Sequence, residues 1–152
     1  MTILECQANT TVWVENVDFE GDGTPSRLVA GLSSFTGYLL GRDDMGDVAF
    51  AADMSQNYKV FKDQGLIFDN VMLNIGNGYI QSNGIFVCPK SGVYYFSWSI
   101  QVSYPYNWAN VRLMKNGEEQ RMGPRSVARR NGNAGTSYMS TILECGQGEA
   151  VW

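Results

Sequence analysis

The chain of 152 residues predicts an all-β fold, and three observations carry that prediction. Glycine outnumbers proline 17 to 4, and four Asn-Gly steps, at Asn77, Asn83, Asn116 and Asn131, supply the positive φ that tight turns need. Residues 92–103 alternate strictly, with Tyr94, Phe96, Trp98, Ile100 and Val102 on one side and Tyr95, Ser97, Ser99, Gln101 and Ser103 on the other. Long Ala/Leu/Glu/Lys runs of helical period are missing, so no long helix is expected.

Taken in order, residues 2–6 and 12–16 read as two short strands joined by a polar turn. A loop follows through Asp18, Glu20, Asp22, Gly23 and Pro25. Its acids fall at the first, third and fifth positions of a calcium-binding loop with glycine at the sixth, but Val29 stands where a bidentate glutamate belongs. An ordinary Asp-Gly turn is therefore preferred there over a calcium site. Residues 33–40 are apolar and aromatic enough for a buried strand, with burial expected for Phe35, Tyr38, Leu39 and Leu40. Residues 41–47, with three acids and two glycines, read as a linker, which spans at most about 25 Å and suits neighbouring strands. Residues 48–52 form the next strand, and a polar passage leads to the apolar run 66–74. After the strand at 92–103, residues 109–115 and 136–145 continue the series.

The pentapeptide Thr2-Ile3-Leu4-Glu5-Cys6 returns as Thr141-Ile142-Leu143-Glu144-Cys145, 139 residues later (141 minus 2). Each copy is followed by five residues and then Val-Trp, as Val12-Trp13 and Val151-Trp152. The spacers differ, so the chain reads as one period of a tandem array cut out of phase with its domain boundaries.

A chain of this length suits one compact domain with a sizeable core. The formal net charge of −4 opposes non-specific nucleic-acid binding. With no histidine, the usual general base, the commonest metal ligand and any Ser-His or Cys-His pair are absent, so an enzyme is not expected. Cys6, Cys88 and Cys145 are too sparse for a disulfide framework and lack zinc spacing, and buried thiols in strands are the preferred reading. No 18-residue apolar run occurs, so no membrane span is expected, and residues 1–15 show no signal peptide. Asn9-Thr10-Thr11 is a glycosylation sequon of small weight.

Phe68-Asp69-Asn70-Val71, then Asn74-Ile75-Gly76 with Tyr79, then Asn83-Gly84-Ile85-Phe86-Val87-Cys88-Pro89, then Gly92-Val93-Tyr94-Tyr95-Phe96-Ser97 together resemble the central signature of the C1q globular domain. Val111-Arg112-Leu113-Met114-Lys115-Asn116-Gly117 is similar to its later Leu-x-Lys-Asn-Gly segment. The ends resemble the family in permuted order. Gly148-Glu149-Ala150-Val151-Trp152 is similar to the penultimate Gly-Asp-x-Val-Trp strand, with Glu for Asp, while the last strand of the family is matched by residues 33–40. The resemblance implies a ten-strand jelly-roll β-sandwich of C1q/tumour-necrosis-factor-like type, its last strands supplied by the N-terminal segment. Residues 1–40 are then the tail of one unit, 41–47 a linker and 48–152 the body of a unit, together one permuted domain or strands lent to a neighbouring chain.

Two segments are candidate ligand sites. Tyr104, Tyr106, Asn107 and Trp108 crowd a presumed loop around Pro105, where rings beside an amide suit a sugar, although packing between the subunits of a trimer is the preferred reading. Arg121, Arg125, Arg129 and Arg130 hold four of the eleven basic residues within ten positions, and paired guanidinium hydrogen bonds suit sulfate, phosphate or carboxylate on a glycan or lipid head group, although a solvated loop is the preferred reading. By alternation, Tyr94, Phe96 and Trp98 are core rather than a ligand platform. The resemblance implies a non-enzymatic, extracellular, lectin-like pattern-recognition module, homotrimeric and without cofactor. The alternative is a structural scaffold of tandem or strand-exchanged domains.

Overall fold

Alternation and turn chemistry together produce a two-sheet sandwich. A computed structural model describes residues 3–4, 12–16, 26–40, 47–102, 109–119, 135–148 and 150–151. In chain order the strands are β1 (Ile3–Leu4), β2 (Val12–Asn16), β3 (Ser26–Leu28), β4 (Ser34–Leu40), β5 (Ala49–Asp53), β6 (Tyr58–Val60) and β7 (Asn70–Ile75). They continue as β8 (Tyr79–Ile80), β9 (Ile85–Val87), β10 (Gly92–Val102), β11 (Val111–Lys115), β12 (Glu118–Glu119), β13 (Gly135–Cys145) and β14 (Ala150–Val151). There is no helix among the described residues.

The larger sheet has eight strands in the order β1-β13-β10-β4-β5-β7, with β3 against β10 and β6. The smaller has six, built around β11, β14, β9 and β2, with β12 and β8 at its margins. At the centre of the larger sheet, β10 pairs antiparallel with β13 on one side and β4 on the other, with Phe96 opposite both Thr141 and Gly37. Next to it, β4 pairs with β5, with Gly37 opposite Phe50. In the smaller sheet, β2 runs antiparallel to all five residues of β11.

Asn116 and Gly117 both have positive φ, 51° and 81°, so the β11–β12 connection is the tight turn that the Asn-Gly step anticipates. The core lies between the sheets and is aromatic. Phe50 of the larger sheet stacks on Tyr79 and Phe86 of the smaller at centroid distances of 4.9 and 4.7 Å, while Phe35 meets it edge-on at 4.8 Å. Tyr94, Phe96 and Trp98 are buried, as the alternation requires, and so are Cys88 and Cys145.

The structure departs from the sequence reading at three places. Tyr38 is not buried but 45% exposed, because it lies an odd number of positions from Phe35 and the strand's pleat turns it outward, while Leu39 and Leu40 are half-buried. Strand β6 occurs within the passage read as polar, and within the apolar run 66–74 the ladder begins only at Asn70. Leu66 and Phe68 are buried without belonging to a strand.

Candidate functional site

The outward face of the larger sheet is the most distinctive described surface. Because β13, β10, β4 and β5 pair in continuous register, and β7 pairs with β5 in register over Ala49 to Ala51, their outward residues form rows across the sheet. One row runs Ile142, Tyr95, Tyr38, Ala49, Ile75. The Tyr38 and Tyr95 rings lie 5.2 Å apart at 36°. On one side the neighbouring rows are hydroxylic, since the Thr36 and Ser97 hydroxyls are 2.7 Å apart and those of Ser34 and Ser99 2.9 Å apart, while Leu40, Val93 and Glu144 form the row on the other side. Leu73 and Ile75 stand exposed on β7, and Tyr138 of β13 is 85% exposed. Aromatic rings on a row free of charge are features enriched in the buried centre of protein contacts.

A second feature is an open groove of about 760 Å³ lined by Tyr58, Ile67, Asp69, Tyr79, Ile80, Gln81 and Ser82. The Asp69 carboxylate accepts from Ser55 N at 2.9 Å, Ser55 Oγ at 2.6 Å and Tyr58 OH at 2.9 Å. Partial desolvation pushes its pKa up, but these donors outweigh it and hold the carboxyl below the usual aspartate value. Tyr79 donates its hydroxyl to Phe68 O at 2.9 Å, and burial pushes the phenol pKa well up, so it stays a donor. Asp69 and Tyr79 thus fasten loops, as does Tyr94, whose hydroxyl reaches Lys90 O at 2.8 Å.

A third feature is the charge cluster on the smaller sheet. Arg112 donates through Nε to Glu15 at 2.9 Å, through Nη1 to Glu119 at 2.7 Å and through Nη2 to Asp63 at 3.3 Å. It joins β2, β11, β12 and the loop after β6.

The ligand candidates from the sequence, Tyr104, Tyr106, Asn107, Trp108, Arg121, Arg125, Arg129 and Arg130, lie outside the described residues, as do Asp18, Glu20, Asp22 and Asn9. The sequence reading missed the Tyr38–Tyr95 face and the Arg112 cluster. Strict period-two counting from Phe35 exposes the first; the second needs the pairing of β2 with β11, which joins residues 97 apart.

A family model described as "C1q domain" matches residues 49–152. The human protein named complement C1q tumor necrosis factor-related protein 2 is 34% identical over 85 residues, 56% of this chain and 28% of that protein. The human and mouse proteins named complement C1q tumor necrosis factor-related protein 3 are each 30% identical over 105 residues, 69% of this chain and 42% of theirs. The chain therefore spans less than half the length of these curated relatives. No solved structure matches significantly.

Proposed function

Because the chain belongs to the C1q domain family, we propose that it is a non-enzymatic recognition module that works outside the cell as a homotrimer and binds glycans or anionic surface ligands through its loops. The observation that carries this reading is the row Ile142, Tyr95, Tyr38, Ala49, Ile75 across the larger sheet, a face suited to burial against further copies. Trimerisation presents three weak sites together, so a multivalent surface is held far more tightly than one site would hold it.

The ligand-binding residues in this reading are Tyr104, Tyr106, Asn107 and Trp108, with Arg121, Arg125, Arg129 and Arg130 as the anion-gripping group. No nucleic acid, cofactor or calcium is part of the proposal. No helix among the described residues is long and apolar enough to cross a membrane. The domain is read as permuted, with 1–40 the tail of a unit, 41–47 a linker and 48–152 the body. In support, the family match begins at residue 49, whereas β4, which precedes it, lies between β10 and β5.

A glycan array that includes sulfated and sialylated structures tests the reading, run with the native chain and with the four arginines changed to alanine. Binding to anionic glycans that falls at least about tenfold in the variant supports it; absence of binding to every glycan and to anionic vesicles overturns it.

A further inference from the structure

The two copies of the repeat do not share the fold evenly. In the larger sheet the second copy holds the interior place, as β13 runs against β10 from Gly135 to Cys145 with Leu143 and Cys145 buried. The first copy is laid parallel along the far edge of β13, Ile3 opposite Ile142 and Leu4 opposite Leu143, each residue beside its own repeat equivalent. In the smaller sheet the order reverses. There the first copy's strand, β2, takes the five-residue ladder with β11, while β14 of the second copy makes only a short pairing.

Both valines of the repeat are registered to the same two residues. Val12 and Val151 each pair with Phe86 of β9 and with Lys115 of β11. A strand has two hydrogen-bonding edges, and one edge of β9 is already taken by β8, where Tyr79 faces Phe86. One place is therefore claimed twice. The second copy is led there by its own turn, since Gln147 N donates to Ser91 Oγ and Gly148 N to Cys88 O, both at 2.8 Å. The ladder over Val111 to Leu113 is supplied by Val14, Glu15 and Asn16 of the first.

We propose that this doubly claimed place between β9 and β11 is a strand-exchange site, whose alternative occupant is β2 of a second copy of this chain. Every copy carries both donor and acceptor: the same register and the same Glu15–Arg112 ion pair form whether the strand comes from its own chain or another. The donated strand brings β3 and β4 with it, and β4 fills the place between β10 and β5 of the acceptor. Reciprocal exchange between two chains closes a dimer, and one-way exchange runs on from chain to chain. The inference is independent of the recognition reading, because it needs neither the ligand loops nor a trimer contact, and β4 presents Tyr38 on the same outward face whichever chain supplies it.

Position-specific cross-linking tests it. Val14 and Leu113 are direct partners across β2 and β11, at a separation of about 4.5–5.5 Å that a disulfide spans. One tagged full-length chain carries Val14→Cys and a differently tagged one Leu113→Cys; the two are co-expressed, oxidised and mapped by non-reducing peptide analysis. Exchange gives a 14–113 disulfide between the two tags, increasing with concentration. The proposal is overturned if the mixture gives no such link, whether or not a chain carrying both substitutions closes on itself. Should these core changes prevent folding, Glu15→Arg and Arg112→Glu serve instead. Each mismatches its own chain, and co-refolding the two raises the melting temperature towards the native value only when strands cross between chains. Trimerisation alone leaves both mismatches in place, so a mixture that melts as the sum of its parts overturns the proposal.

Discussion

Gly37 marks the closest approach of β4 to the aromatic core. A Cβ there would stand 2.6 Å from Phe50 Cε1 and 2.7 Å from Phe96 Cδ1, both ring atoms of packed side chains with little room to yield. Gly37→Ala is therefore expected to destabilise the fold by about 1–3 kcal/mol, read as a lower thermal midpoint by roughly 2–4 °C per kcal/mol. The residue scale also sets the pH response. Asp69 has a folded-state pKa below its unfolded value, because Ser55 and Tyr58 donate to the carboxylate more strongly than desolvation opposes it. The unfolded chain then binds the extra proton first, so this contribution is full above the ordinary aspartate pKa of about 3.9 and is lost as pH falls through the lower folded value. Asp69→Asn is expected to flatten the acid limb of a stability-versus-pH curve, measured by urea titration between pH 6 and 3. An unchanged acid limb would count against the hydrogen-bonded carboxylate.

At the scale of elements, β2 is held by more than its ladder. Glu15 is buried and meets Arg112 at 2.9 Å, while Arg112 keeps Glu119 and Asp63 as further partners. Glu15→Ala leaves the guanidinium paired and partly solvated, so a loss of about 1–2 kcal/mol is expected, below the penalty for stranding a fully buried charge. Denaturant unfolding at low and high salt checks it, with the difference between native and variant persisting because Glu15 is shielded from solvent. How far elements were legible follows from the same physics. β10 declares itself because five apolar side chains at period two must all meet one core. β3 and β6 do not, being three residues each and paired largely with one another, so neither carries enough alternation to register. Residues 66–69 alternate like a strand because Leu66 and Phe68 reach the core, yet the ladder with β5 starts only at Asn70. Leu66 N donates to Val14 O of β2 at 2.9 Å, but no ladder runs on along 66–69, so burial imposes period two there and sequence alone does not separate this from a paired strand.

For the whole molecule, the aromatic core spans residues from Phe35 to Phe96, and its N-terminal contributor is not optional. Removing residues 1–40 deletes β4 from between β10 and β5 and takes fully buried Phe35 and Leu28 with it. At about 1.5–3 kcal/mol for each large apolar side chain, before any ladder hydrogen bond is considered, that loss rivals a domain stability of about 5–15 kcal/mol. The truncated chain is expected to lack a cooperative thermal transition by circular dichroism, and a sharp one would refute it. The surface was less legible than the core, because a sheet's two faces look alike in a period-two pattern until something else says which is covered. Tyr38 shows the difficulty: its aromatic ring reads as core, yet the pleat puts it outside, against Tyr95 at 5.2 Å. A half-exposed tyrosine on a folded monomer tolerates replacement, whereas the same position inside a subunit contact does not accept an unpaired charge. Tyr38→Asp is therefore expected to leave the thermal midpoint of the dissociated chain within a few degrees of native while weakening self-association at least about 100-fold. Sedimentation velocity across a concentration series separates the outcomes: native chains form a three-copy species that the variant lacks, and a variant that still forms trimers at native concentrations excludes this face as the contact.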